Sequence, residues 1–173
     1  TLPGSKSLSN RVLLLSALSK GKTRISNLLD GEDTRLMVNA LEQLKVSLTW
    51  LTGEGGIVEV TGRGGPLTME DDQELLLGNA GTAMRLLAGV LCAGEGIFVL
   101  DGVERMRQRP IFDLVDGLQQ LGADISCSDG CPPVRINARG LDGGAVSLSG
   151  QISSQFLSSL LMAGPLAKGQ TTI

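Results

Sequence analysis

The stretch Gly78-Asn79-Ala80-Gly81-Thr82-Ala83-Met84-Arg85 introduces an apolar segment with small polar residues, and two other parts of the chain do the same. The matching stretches are Gly4-Ser5-Lys6-Ser7-Leu8-Ser9-Asn10-Arg11 and Gly150-Gln151-Ile152-Ser153-Ser154-Gln155-Phe156. Their leading glycines are 74 and 72 residues apart (78 − 4 and 150 − 78). The glycines expected to close the three helices, Gly21, Gly94 and Gly169, keep nearly the same period. Because two independent landmarks share one spacing, the sequence predicts an internal repeat.

The second half of each unit repeats as well. Leu29-Asp30-Gly31 and Leu100-Asp101-Gly102 both lead into segments with helical spacing, and two alternating strand patterns follow each of these segments. The unit is therefore βαβαββ, and the fold class is α/β with a pseudo-threefold repeat. We expect one incomplete domain over residues 1–173, with units at about 1–74, 75–146 and a truncated 147–173, and with a second domain absent.

Composition excludes several classes of function. The 173 residues contain no His, which removes Ser-His-Asp triads and His-ligated metals, and only 2% are aromatic. A net charge of −3 argues against binding to a nucleic-acid backbone. Three cysteines without His partners predict neither a disulfide framework nor a zinc site, and the apolar runs are too short to predict a membrane span.

The repeated helix starts are candidate anion sites, because a helix N-terminus presents unpaired N–H groups and a partial positive charge. Helix capping alone is the other interpretation of these small polar residues. Lys6, Arg11 and Arg85 place cations near the starts, and Arg105, Arg107 and Arg109 alternate before another helix. If that segment is extended, its three arginines point the same way; a solvated turn is the alternative. We therefore expect the three helix starts to converge on a site for a small molecule with more than one anionic group.

Four stretches, 2–11, 77–85, 105–111 and 152–156, resemble motifs of the 5-enolpyruvylshikimate-3-phosphate (EPSP) synthase family in the family's order. The likeness extends over the whole chain, and segment 131–135 looks most like plant and plant-like bacterial members. The resemblance implies two domains of three βαβαββ units each. It also implies transfer of the enolpyruvyl group of phosphoenolpyruvate to the 5-hydroxyl of shikimate 3-phosphate, without metal or organic cofactor. The implied location is the cytoplasm, or the plastid stroma in a plant or alga.

The resemblance also implies roles for individual residues. Lys6 matches a catalytic lysine that contacts both substrates, and Ser7 and Arg11 match groups on the hydroxyl and carboxylate side of shikimate 3-phosphate. The remaining matches are Ser153 and Ser154 with the 3-phosphate, Gln155 with the shikimate ring, Asn79 and Gly81 with the loop beside phosphoenolpyruvate, and Arg109 with a clamp on that substrate.

The same resemblance points to limits and alternatives. The family's acid/base carboxylates lie in the second domain, so we expect this chain alone to be inactive. Leu86 stands where members sensitive to the inhibitor glyphosate usually carry Pro. Two alternatives stay open: the related UDP-N-acetylglucosamine enolpyruvyl transferase, whose motifs differ at the Lys6 and Arg109 segments, and a non-catalytic anion-binding half of a split assembly.

Overall fold

The first unit is a three-stranded antiparallel sheet with two helices. The structure, a computed structural model, describes residues 4–51, 57–148 and 153–173. Within them the unit comprises α1 (Lys6–Leu18), β1 (Lys20–Ile25), α2 (Glu32–Gln43), β2 (Ser47–Leu51) and β3 (Ile57–Arg63). The strand order is β1-β3-β2, so β3 lies in the middle of the sheet.

The second unit contains all six predicted elements. They are β4 (Gln73–Leu76), α3 (Gly81–Cys92), β5 (Glu95–Asp101), α4 (Phe112–Gln120), β6 (Ile125–Ser128) and β7 (Cys131–Arg139), with a 3₁₀ turn at Met106–Gln108. The strand order is β4-β5-β7-β6, in which β4 and β5 are parallel and the other pairs are antiparallel. The sequence therefore predicted the order of elements in this unit correctly.

The third unit shows the start of the same pattern. It contains β8 (Gly144–Ala145), α5 (Ser154–Ala163) and β9 (Thr171–Thr172), and β8 pairs with β9 in parallel as β4 does with β5. Gly150, the predicted leading glycine, lies outside the described residues. The prediction that Gly169 closes the helix was wrong, because α5 ends at Ala163 and a 3₁₀ turn containing Pro165 follows. Proline has no N–H to continue the helical ladder. The prediction for Gly21 was also wrong, because α1 ends at Leu18 and Gly21 lies within β1.

The helices that begin the three units form one cluster. Helix α3 packs against both α1 and α5, and a hydrogen bond from Arg11 to Ser158 joins α1 directly to α5. Every residue of α3 except Arg85 is buried, as expected of a helix with partners on all sides. The α/β repeat predicted from the glycine spacing is therefore the observed architecture.

Close packing between α3 and α5 depends on Gly89. A Cβ atom at this position would lie 2.2 Å from the Ser159 hydroxyl oxygen, which no real side chain tolerates. That hydroxyl donates to the backbone carbonyl of Arg85 over 2.6 Å, so the helices also share a hydrogen bond.

No helix in the described ranges is long and apolar enough to cross a membrane.

Candidate functional site

The start of α1 presents a lysine that already has an acidic neighbour. Ser5 caps the helix, its hydroxyl accepting from the N–H of Leu8, and Lys6 is the first helical residue. The Lys6 ammonium is 57% exposed and lies 3.4 Å from a carboxylate oxygen of Asp33, in the first turn of α2. Sequence reasoning did not identify Asp33 as a partner of Lys6.

Arg11 connects α1 to α5. Its Nη1 donates to the hydroxyl of Ser7 and, over 3.0 Å, to the Ser7 carbonyl, while its Nη2 donates over 2.9 Å to the Ser158 hydroxyl. The structure thus brings the predicted pair Ser7 and Arg11 together, one helical turn apart. Ser158 was not predicted, although its place one turn after Ser154 is a signal that the sequence contained.

The start of α5 has the geometry of an N-terminal cap. Ser153 has extended backbone angles, and its hydroxyl accepts the N–H of Gln155 over 3.2 Å. Ser154 is the first helical residue and is exposed. The N–H of Phe156 is also engaged, by the Ser153 carbonyl over 3.1 Å. The hydroxyls of Ser153 and Ser154 lie together at the positive end of the helix dipole, an arrangement suited to a phosphate.

Gln155 joins this helix start to α3. Its side-chain Nε2 donates to the Thr82 hydroxyl over 3.1 Å, and its Oε1 accepts from Nη1 of Arg85 over 2.8 Å. Thr82 and Arg85 both lie in the first two turns of α3. The predicted convergence of helix starts is therefore carried by side-chain hydrogen bonds, from α1 to α5 through Arg11 and from α5 to α3 through Gln155.

The three residues that resemble a phosphoenolpyruvate site form one group. Nη1 of Arg109 donates to the backbone carbonyl of Asn79 over 3.1 Å and to its side-chain oxygen over 3.3 Å. Gly81 lies directly beneath the guanidinium, since a Cβ there would be 2.6 Å from Nη1. The absence of a side chain at position 81 therefore lets Arg109 lie over the start of α3.

Of the two interpretations of the segment with Arg105, Arg107 and Arg109, the turn is the one observed. Their segment forms a 3₁₀ turn and is not extended, because Arg107 turns back to Asp101 at the end of β5. Two hydrogen bonds of 3.0 and 2.5 Å join this guanidinium to the carboxylate, and the Asp101 side chain is only 10% exposed. The pKa of Asp101 lies below its usual value, chiefly because of the hydrogen bond from Arg107. Only Arg109 of the three reaches Asn79.

Two cations lie close together at the start of α3. Burial lowers the pKa of Arg85, and the positive charge of Arg109 lowers it further. Neither guanidinium has a carboxylate within ion-pair distance among the described residues. Because like charges repel more strongly where water is partly excluded, an anion bound here would relieve that repulsion.

No group of three His, Cys, Asp or Glu in the described part of the chain could hold a metal ion.

The fold is an α/β repeat of βαβαββ units whose helix starts lie together, and comparison with known proteins identifies the family. The sequence profile of "EPSP synthase (3-phosphoshikimate 1-carboxyvinyltransferase)" matches residues 1–173. The chain belongs to the EPSP synthase family.

Relatives and solved structures agree with this assignment. The chain is 54% identical over 99% of its length to the 3-phosphoshikimate 1-carboxyvinyltransferases of Shewanella amazonensis and of Vibrio vulnificus. An EPSP synthase structure from Acinetobacter baumannii matches 99% of the chain with a TM-score of 0.89 and 33% identity. The chain spans about 40% of the length of these curated relatives and 38% of that structure.

We expect Asp101→Asn to lower the melting temperature by about 3 °C near neutral pH, because the charge-assisted bonds from Arg107 are weakened. The folded-state pKa of Asp101 is depressed, so its stabilisation is present above the ordinary value of 3.8 and is lost as the pH falls through the lower folded value. The difference in melting temperature should therefore shrink between about pH 5 and about pH 2.

Thermal unfolding followed by circular dichroism at several pH values measures this difference. Asp71→Asn, at an exposed aspartate, is the matched control and should have little effect at any pH. A difference between Asp101→Asn and the unaltered chain that persists at the acid end would contradict the assigned ion pair.

Proposed function

We propose that this chain is the shikimate 3-phosphate-binding part of an enzyme that transfers the enolpyruvyl group of phosphoenolpyruvate. The observation that carries the proposal is the hydrogen-bonded cluster of helix starts, in which Arg11, Gln155 and Arg109 are the connecting residues. Its components suit two polyanionic substrates, and the chain belongs to a family named for this reaction. That name favours shikimate 3-phosphate over UDP-N-acetylglucosamine as the acceptor.

The shikimate 3-phosphate part of the site is formed by α1 and α5. The first turn of α5, with Ser153 and Ser154, receives the 3-phosphate, because the two serine hydroxyls can donate to it at a positive helix end. Arg11 and Ser7 lie on the neighbouring helix, where a guanidinium can pair with the substrate carboxylate. Gln155 lies between the two helix starts and contacts the ring.

The phosphoenolpyruvate part lies at the start of α3. Arg109 binds this substrate above Gly81 and beside Asn79, and the exposed Lys6 exchanges Asp33 for the substrate anions. The 5-hydroxyl of shikimate 3-phosphate adds to C2 of phosphoenolpyruvate, and the tetrahedral intermediate then eliminates phosphate to form the enol ether. Lys6, whose side chain lies beside both substrate anions in this proposal, stabilises the developing charge and can transfer a proton.

The rest of the enzyme is the remaining partner in this proposal. Helix α2 contacts both α1 and α3, and α4 contacts both α3 and α5, whereas the third such groove, between α5 and α1, is open among the described residues. This groove has a volume of about 480 Å³ and is lined in part by Leu15 and Leu161, which are 49% and 57% exposed. Residues 1–173 are thus one incomplete domain of three units, and the remainder of a cytoplasmic enzyme covers the groove and supplies the acid/base carboxylates.

The first test is a chimaera in which residues 1–173 replace the matching stretch of the Vibrio vulnificus relative. We expect it to release phosphate from phosphoenolpyruvate when shikimate 3-phosphate is present and not when UDP-N-acetylglucosamine is supplied. The isolated chain should release none, because one face of the site is missing. A folded but inactive chimaera, with the unaltered relative active in parallel, would refute the proposal.

The second test is the binding of shikimate 3-phosphate to the isolated chain by calorimetry. Arg11→Ala should weaken binding by about 1.5–3 kcal/mol, the contribution of a charge-assisted hydrogen bond. Arg139→Ala, which removes an exposed arginine at the end of β7, is the control for net charge. Equal affinity of the Arg11→Ala and Arg139→Ala variants, with both folded, would exclude Arg11 from the site.

The third test concerns glyphosate, which we propose competes with phosphoenolpyruvate at the start of α3. Leu86 is fully buried in the second turn of α3, where helix geometry places its N–H opposite the Thr82 carbonyl. Leu86→Pro removes that donor and shifts the turn beside Gly81. We expect the ratio of the glyphosate inhibition constant to KM for phosphoenolpyruvate to fall by roughly fivefold in the chimaera, equivalent to about 1 kcal/mol.

Leu86→Ala separates the backbone effect from the loss of the side chain, since it keeps the N–H. The ratio should change little in this variant. If Leu86→Ala and Leu86→Pro have the same effect, the helix N–H at position 86 does not determine inhibitor sensitivity.

A further inference from the structure

Arg85 is the one residue of α3 that is not fully buried, and its guanidinium lies where three segments of the chain meet. Nη1 donates to Oε1 of Gln155 in α5 over 2.8 Å. Nη2 donates over 3.4 Å to the carbonyl of Pro110, the residue that follows Arg109. The guanidinium carbon also lies 5.4 Å from the centre of the Phe156 ring. The family resemblance assigns Arg85 no role.

We propose that Arg85 is a positioning residue that fixes the side-chain amide of Gln155 for shikimate 3-phosphate and ties it to the segment carrying Arg109. The proposal rests on the proposed function, since it assumes that Gln155 and Arg109 contact the substrates. The new element is Arg85, which acts on the substrates only through Gln155 and Arg109.

The two ends of the Gln155 side-chain amide form different kinds of hydrogen bond. An amide has an accepting oxygen and a donating nitrogen of almost equal size, so hydrogen-bond partners decide which end faces which way. Arg85 has donors only, so it selects the oxygen. The nitrogen is then directed to the Thr82 hydroxyl, which can accept. One N–H of Nε2 remains for a ligand, so Gln155 presents a donor to an anionic or hydroxylated substrate.

The cost of burying Arg85 supports a functional role. Burial and the charge of Arg109 both lower its pKa, and its Nε is buried without a hydrogen-bond partner. No carboxylate among the described residues compensates this cation. An apolar residue of similar length, such as methionine, would fill the space without that penalty, but it has no donor with which to orient Gln155. The guanidinium is therefore retained at the expense of stability for its two donors.

A double-mutant cycle on shikimate 3-phosphate binding to the 173-residue chain tests the proposal. The variants are Arg85→Met, Gln155→Met and the combination of the two. We expect Arg85→Met to raise the Kd about tenfold when Gln155 is present and less than about twofold when residue 155 is already Met. Arg85→Lys should recover part of the affinity, since an ammonium is also a donor. Arg139→Met controls for net charge. Equal losses in the two backgrounds would mean a merely structural role and would overturn the proposal.

A second measurement needs no ligand. In the free chain, the two side-chain N–H resonances of Gln155 should be displaced from those of exposed glutamines and exchange slowly with water, because Thr82 and Arg85 hold the amide. Arg85→Met should move them toward the positions of exposed glutamines and speed their exchange with water, while leaving the backbone resonances of β6 and β7 in place. Unchanged Gln155 resonances in Arg85→Met would overturn the proposal. An inactive chimaera together with the expected Gln155 resonances would instead refute the proposed function and leave the orientation of Gln155 by Arg85 established.

Discussion

The packing of α3 between α1 and α5 is the constraint on which the rest of this structure depends. The helix is apolar on every side, so it is stable only when other helices and a sheet surround it. The first turns of α1 and α5 lie on the same face of the helix cluster as the first turn of α3. Helix packing, and not a long loop, therefore brings the polar residues of these first turns together. Burial of one helix thus assembles a site from parts of the chain about 70 residues apart.

The site brings several positively charged groups close together. Arg85 and Arg109 lie near one another at the start of α3, while the first turn of α5 adds a further positive potential. The nearest acidic side chains of the described site region are already engaged, Asp101 by Arg107 and Asp33 by Lys6. The result is a local surplus of donors on a chain whose net charge is −3. This is the arrangement that a protein needs to bind small anions without attracting nucleic acid.

The repeat was readable from the sequence because glycine spacing and hydrophobic periodicity report backbone geometry directly. The βαβαββ order and the grouping of Ser7 with Arg11 and of Gly81 with Arg109 followed from the repeat and the family resemblance. The direction of Arg107 did not, because it depends on Asp101, which only the β5 end brings within reach. The partners Ser158 and Thr82 were missed for the same reason: serine and threonine are common in helices, and only the packing of α1, α3 and α5 shows which ones face a neighbour.

The contact between Gly89 and Ser159 lies one helical turn behind the contact between Arg85 and Gln155, on the same two helices. It therefore fixes the distance between α3 and α5. That distance also determines how far apart the first turns of the two helices lie at the polar face. Selection on ligand recognition would then fall on an interior position that no ligand ever touches. A comparison of family members that considered only surface residues would therefore miss the Gly89–Ser159 contact, which determines the geometry of the site.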